Sequence, residues 1–174
     1  EHDVIKLPSK GLFYPRDNDG NLIDNIKVAY LTAEDENIML SLNLVQSGDM
    51  VNELLRKKII DKRIRAVDLL EGDRLAILFW LRTTGISAEY KVKLKDENGV
   101  EFDHTFNLSE INYKKFDEKK INSDLTINGE IDNLQFIFKH LKHSEVEKFN
   151  NEINEANAKV KRAVDGRITK LVAT

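Results

Sequence analysis

Apolar and polar positions alternate, or recur at helical spacing, along most of the chain. Ile26, Val28 and Tyr30 alternate with polar or small residues, the period of a half-buried strand. Thr32 predicts the start of a helix with Glu34, Asp35 and Glu36 in its first turn, where the dipole favours anions. Ile38, Met39, Leu42 and Val45 form its apolar face and Gly48 its stop. Asp49 caps a second helix bearing Val51, Leu54, Leu55 and Ile59, with Ile60 at its margin. After the corner Asp68–Gly72, Asp73 caps a third helix over 74–83. Its residues Leu75, Ile77, Leu78, Phe79, Trp80 and Leu81 are apolar almost all round, which predicts a central helix contacted from several sides.

The second half opens on a hairpin. Tyr90, Val92 and Leu94 alternate before Asn98-Gly99, and Val100, Phe102, Phe106 and Leu108 after it. Asn98-Gly99 suits a type I′ turn, whose two central residues need positive φ. His104 falls in the apolar register near a sheet edge. Asn128-Gly129 marks a further turn, and Leu134, Phe136 and Phe138 a fourth strand. Ser144-Glu-Val-Glu147 reads as a capping box. The helix behind it carries Val146, Phe149, Ile153, Ala156, Val160 and Ala163, a short heptad seam suited to one long partner stripe.

These elements predict an α+β fold. A small antiparallel sheet (hairpin 89–108 plus strands near 26–30 and 134–139) packs with about three helices and a long C-terminal helix. The division expected is an extended N-terminal arm over 1–16, an α+β core over 17–143, and a C-terminal helix and tail over 144–174, with a softer boundary at 115–128.

Composition narrows the chemistry. The chain has 174 residues, enough for one sizeable core or two small ones. A charged fraction of 33% and a hydrophobic fraction of 41% suit a soluble globular protein. A net charge of −3 provides no global field for nucleic acid or anionic membrane. Without cysteine there is no disulfide, thiol nucleophile or thiolate metal site. The longest apolar run, Leu75 to Leu81, is far short of the about 20 residues of a membrane span, and no signal-peptide pattern opens the chain.

Candidate chemistry is sparse. His140-x-x-His143 straddles a strand end and a helix cap and lacks a third ligand, so no metal is expected. His104 has no serine or cysteine partner that spacing identifies, and reads as a packing residue. Asp68, Glu71 and Asp73 could serve a hydrolase, but acids on one turn do not normally face each other across a cleft. The stretch 56–65, RKKIIDKRIR, holds six basic residues against one acid. Its alternative reading is a nucleic-acid grip, yet no aromatic interleaves it. No phosphate-cradling glycine motif occurs, and no cofactor is expected.

The segment LPSKGLFYP, 7–15, makes the strongest case for function. Pro8 and Pro15 push Leu7 and Tyr14 toward extended geometry, so residues 4–16 read as extended. A pre-ordered arm loses less entropy on binding and can add to a neighbour's sheet edge. Leu7, Pro8, Gly11, Phe13, Tyr14 and Pro15 are the expected partner contacts, or the clamp that shapes them. Folding back onto the chain's own core is the competing expectation. Val146, Phe149, Ile153 and Val160 form a second contact candidate. Asp73, Arg82, Asn98 and Gly99 are expected to be structural, as a cap, a charge at the end of the buried helix, and a turn.

Several fragments fall into one order: LPSKGLFYP, VAYLTAEDENIM (28–39), DLLEGDRLAILFWLR (68–82), EYKV (89–92), TFNLSE (105–110) and FIFKHL (136–141). Over roughly residues 5–150 this series resembles the T4-type bacteriophage baseplate hub family, its hub subunits and hub assembly proteins. Many members carry a Cys-Pro-x-Cys knuckle between the hairpin strands. Lys95-Asp-Glu-Asn-Gly99 stands there in this chain, so the resemblance implies that a plain turn replaces a metal-stabilised one. The family implies no reaction. It implies a non-enzymatic structural or assembly factor of a contractile tail, assembled in the host cytoplasm and located at the virion baseplate. Its partners would be other tail and baseplate hub proteins, with self-association a further option.

Overall fold

The structure, a computed structural model, describes residues 1–113 and 117–159. It is α+β. Strand β1 (His2–Lys6) pairs antiparallel with β2 (Asn25–Ala29). Helices α1 (Glu36–Met39), α2 (Leu42–Ser47), α3 (Met50–Lys58) and α4 (Glu71–Gly85) follow. Strand β3 (Glu89–Lys95) pairs with β4 (Glu101–Asn107), β5 (Thr126–Ile131) with β6 (Leu134–Lys139), and helix α5 is His143–Lys159. The strands form three separate two-stranded ribbons where the alternation suggested one shared sheet.

The core lies between β2, α3 and α4. Ile26 and Val28 of β2 are fully buried and meet Leu55, Leu69, Ile77 and Leu81. The alternation in 26–30 thus marks the buried face of the first ribbon. Burying such side chains stabilises the fold by about 1.5–3 kcal/mol each.

The first sixteen residues are no extended arm. After β1 the chain turns through 7–14, where Lys10 N–H donates to the Leu7 carbonyl at 2.9 Å and Leu12 N–H to that of Ser9 at 3.2 Å. Leu7, Phe13 and Tyr14 join the core. Three large apolar side chains gain more from burial there than two prolines gain by keeping the segment straight.

Four further expectations need correction. The helix foreseen from Thr32 to Gly48 breaks at Leu40-Ser41, where Ser41 is extended, and Leu42 and Val45 face outward. Helix α4 starts at Glu71 behind Leu70, so Asp73 sits in its first turn and is not its cap. Helix α5 starts at His143, ahead of the capping box: a β-bridge between Leu70 and Lys142 fixes its first residue, and Glu145 reaches back to Lys142 N–H at 2.9 Å. Asn128-Gly129 lies inside β5, while the turn falls at Asp132-Asn133 with φ of 51° and 64°. Both residues there are left-handed, as a type I′ turn requires.

The first hairpin has a different turn from the one expected. Gly99 is left-handed at φ 81° but Asn98 is not. Gly99 N–H closes onto the Asp96 carbonyl at 3.0 Å, and Asp96 N–H bonds the Val100 carbonyl at 3.0 Å. The loop is a three-residue turn with a left-handed glycine at its end. Asp96 is its organiser: its Oδ1 accepts from Asn98 N–H at 2.9 Å and Val100 N–H at 2.8 Å.

Candidate functional site

The N-terminal segment is clamped from beneath. Asp73, fully buried in α4, accepts Ser9 N–H at 2.9 Å and the Ser9 hydroxyl at 2.6 Å, and also the Tyr14 hydroxyl. The Tyr14 oxygen in turn accepts Leu70 N–H at 2.9 Å. Burial, then the Asp73 charge and the hydrogen bond to it, hold the Tyr14 phenol protonated far above its usual range. Gly11, at φ 71°, passes so close to the Ile23 carbonyl that a Cβ has no room. Leu7, Gly11, Phe13 and Tyr14 are therefore inside, Pro8 is half-buried, and Pro15 is exposed. The segment acts as a clamp on its own core, and its aromatic side chains offer no outer surface.

The C-terminal seam is also partly used at home. Ile153 is buried, Val146 and Phe149 are half-buried, and α5 packs near 66–68. Val160 lies outside the described residues.

The basic stretch is largely neutralised by acids of the same chain. Arg56 pairs with Glu53 at 2.6 Å, Lys57 with Asp35 at 2.9 Å, Arg63 with Asp61 at 2.8 Å and Arg65 with Asp68 at 2.6 Å. Lys58 is buried against Asp35 and donates to the Tyr30 carbonyl at 2.8 Å. Burial alone would raise the Asp35 pKa. Hydrogen bonds from Lys58, Lys57 and Thr32 outweigh it and hold the carboxyl well below the usual range.

A polar cluster that spacing did not reveal joins α3, α4 and α5. His143 Nδ1 meets Glu71, and its Nε2 lies 3.1 Å from Glu147 Oε1. Arg74, buried, donates to Asn52 Oδ1 at 2.6 Å, and Asn52 Nδ2 to Glu147 Oε1 at 2.8 Å. These contacts tie the three helices together, although His143 Nε2 is buried and makes no hydrogen bond. Among the described residues no set of His, Asp and Glu could hold a metal ion, and no helix is long and apolar enough to cross a membrane.

Besides Leu40, Leu42 and Val45, apolar side chains reach the surface together in two places. One is the pair of hairpin ribbons. In β3–β4, cross-strand pairs Tyr90–Phe106, Val92–His104 and Leu94–Phe102 share one face, and Tyr90, Leu94, Phe102 and Phe106 are exposed on it. The other face is polar, with Lys91–Thr105 and Lys93–Asp103. In β5–β6, Ile131, Leu134 and Phe138 are exposed on one face and Ile137 on the other. The second place is a groove of about 590 Å³ walled by α3 and α4 and closed by Tyr90 and Phe106. Arg82 belongs to it, half-buried in the last turn of α4 with its guanidinium 5.0 Å from the Tyr90 ring centre.

Comparison of the chain with protein-family models, curated proteins and solved structures finds no match.

Proposed function

We propose that the chain is a non-enzymatic structural or assembly component that works through protein–protein contacts, in the baseplate hub of a contractile-tailed bacteriophage. The observation that supports contact work is the uncovered apolar face of the β3–β4 ribbon, together with the exposed apolar residues of β5–β6. An isolated two-stranded ribbon is marginal in water, and an antiparallel sheet normally packs its apolar face. A neighbouring tail or hub subunit supplies that cover on assembly in the host cytoplasm. The placement in a baseplate rests on the ordered fragments from LPSKGLFYP to FIFKHL.

The hydrolase reading finds less support. Asp73 is fully buried beneath Ser9 and Tyr14, with both carboxylate oxygens engaged. The nucleic-acid reading meets a stretch whose cations are mostly paired already.

The test is co-expression with the tail proteins, co-purification and mass determination. Wild type is expected in a complex of defined mass. Phe102→Lys and Leu134→Lys, both on exposed ribbon positions, are expected to fold normally and to drop out of it. A wild-type chain that stays monomeric among the tail proteins, or that turns over a small substrate, ends the proposal.

A further inference from the structure

Helix α4 is apolar almost all round, but the chain covers only part of it. Ala76, Ile77 and Leu81 are buried, while Leu75, Leu78, Phe79 and Arg82 line the groove. Those four positions have the i, i+3, i+4, i+7 spacing of one helical stripe. Met50, Val51 and Leu54 of α3 form the facing wall. Both methionines of the chain, Met39 and Met50, line this groove, and methionine is over-used where a surface must adapt to a partner. Two helices with an apolar channel between them leave the seat of a third, since helices pack ridge into groove.

Charge sets the rest of the partner's chemistry. Apart from Arg82 and Asn107, the lining is apolar or aromatic. Asn107 is occupied, accepting from Ser109 and donating to Glu110. Arg82 Nε is buried without a hydrogen-bond acceptor, and the guanidinium lies beside the Tyr90 ring. A half-buried guanidinium beside an aromatic ring presents parallel N–H donors that suit a planar, bidentate anion. The apolar surface also continues past Tyr90 and Phe106 onto the open ribbon face, more area than a single small amphiphile covers.

We infer that the groove seats an amphipathic helix of another protein, whose apolar stripe is flanked by a carboxylate that pairs with Arg82. This rests on the reading of the chain as a contact protein, and specifies one of its contacts.

The direct test uses a fluorescent 18-residue helical peptide with Leu and Met at i, i+3, i+4 and i+7 and one flanking Glu, titrated with the full chain. The Glu peptide is expected to bind about tenfold or more tightly than its Gln twin, and the Lys version more weakly still. Because the change is made in the peptide, the comparison does not depend on any variant folding. Arg82→Glu is expected to reverse the Glu-over-Lys preference. Equal binding of the three peptides, or binding of none, overturns the inference. So does binding of dodecanoate in the groove with no peptide binding. Self-association of the chain that Leu75→Glu abolishes would make the occupant a second copy, and also overturns it. In the co-purification with tail proteins, Leu75→Glu is expected to weaken incorporation. If Leu75→Glu is retained while Leu134→Lys is lost, the groove inference falls and the assembly reading stands. If wild type joins no complex, the assembly reading falls by itself.

Discussion

Asp73 and Ser9 lie 64 residues apart in the chain and are joined by two hydrogen bonds, from the Ser9 N–H at 2.9 Å and its hydroxyl at 2.6 Å. With the Tyr14 hydroxyl, these bonds give a buried carboxylate three donors and fix the N-terminal segment to α4. Asp73→Ala strands all three donors in the core. Each buried unsatisfied group costs about 1–3 kcal/mol, so a loss of about 3–5 kcal/mol is expected in urea unfolding. Tyr14→Phe should cost less, about 1–2 kcal/mol, because it frees only one bond to Asp73 and the Leu70 N–H. A loss below about 1 kcal/mol for Asp73→Ala would show that the clamp does not hold the fold.

Gly11 and Gly20 separate backbone strain from steric collision. Both have positive φ, 71° and 82°, but only Gly11 faces the Ile23 backbone. Gly20→Ala should cost about 1–2 kcal/mol, the left-handed penalty alone. Gly11→Ala should cost clearly more, and move Leu7 and Phe13 with it. Thermal unfolding of the two variants side by side decides the matter, and equal losses would remove the close-approach argument.

Asp35 and Lys58 make stability depend on pH. The folded-state pKa of Asp35 is depressed, so its contribution is complete above the unfolded carboxylate value of about 4 and fades as pH falls below it. Denaturant titrations should show stability falling from about pH 4 downward. Asp35→Asn should flatten that limb. Asp35→Ala leaves Lys58 buried without its acid and should cost about 3–5 kcal/mol at neutral pH. Asp35→Leu with Lys58→Met should recover most of that loss. A double variant no better than the single one would contradict the pairing.

The first hairpin turn tests the role of Asp96. Its carboxylate accepts two backbone N–H groups, whereas no side-chain bond ties Asn98 to the loop among the described residues. Asp96→Ala should raise hydrogen exchange across β3 and β4 by the equivalent of about 1 kcal/mol. Asn98→Ala should change it by a few tenths. The reverse order would restore a turn centred on Asn98-Gly99.

The elements that were legible in the sequence are those whose periodicity meets a single face. Ile26 and Val28 are buried as their alternation predicts, and the 89–107 hairpin forms with its apolar residues opposite one another. Strand β5 was hidden because Asn128-Gly129 has turn chemistry. Its Gly129 instead lies under the Phe138 ring, which would have to shift to admit a Cβ. The starts of α4 and α5 moved because the Leu70–Lys142 bridge pins the residues just ahead of both helices to each other, a contact no local cap signals. The His143, Glu71, Glu147 and Asn52 cluster was hidden for the same reason, its members coming from three helices.

Taken alone, the order of residues determined the α+β class, the hairpin strands, the buried face of β2 and the all-round apolarity of α4. Local periods and turn chemistry suffice for these, because each depends on neighbours within a few residues. Only the tertiary structure decided that LPSKGLFYP folds inward onto Asp73, and that the Leu75–Arg82 stripe of α4 lines an open groove with Leu75 exposed. Both depend on which distant surfaces meet, and that is set by the balance of buried area and satisfied polar groups over the whole chain.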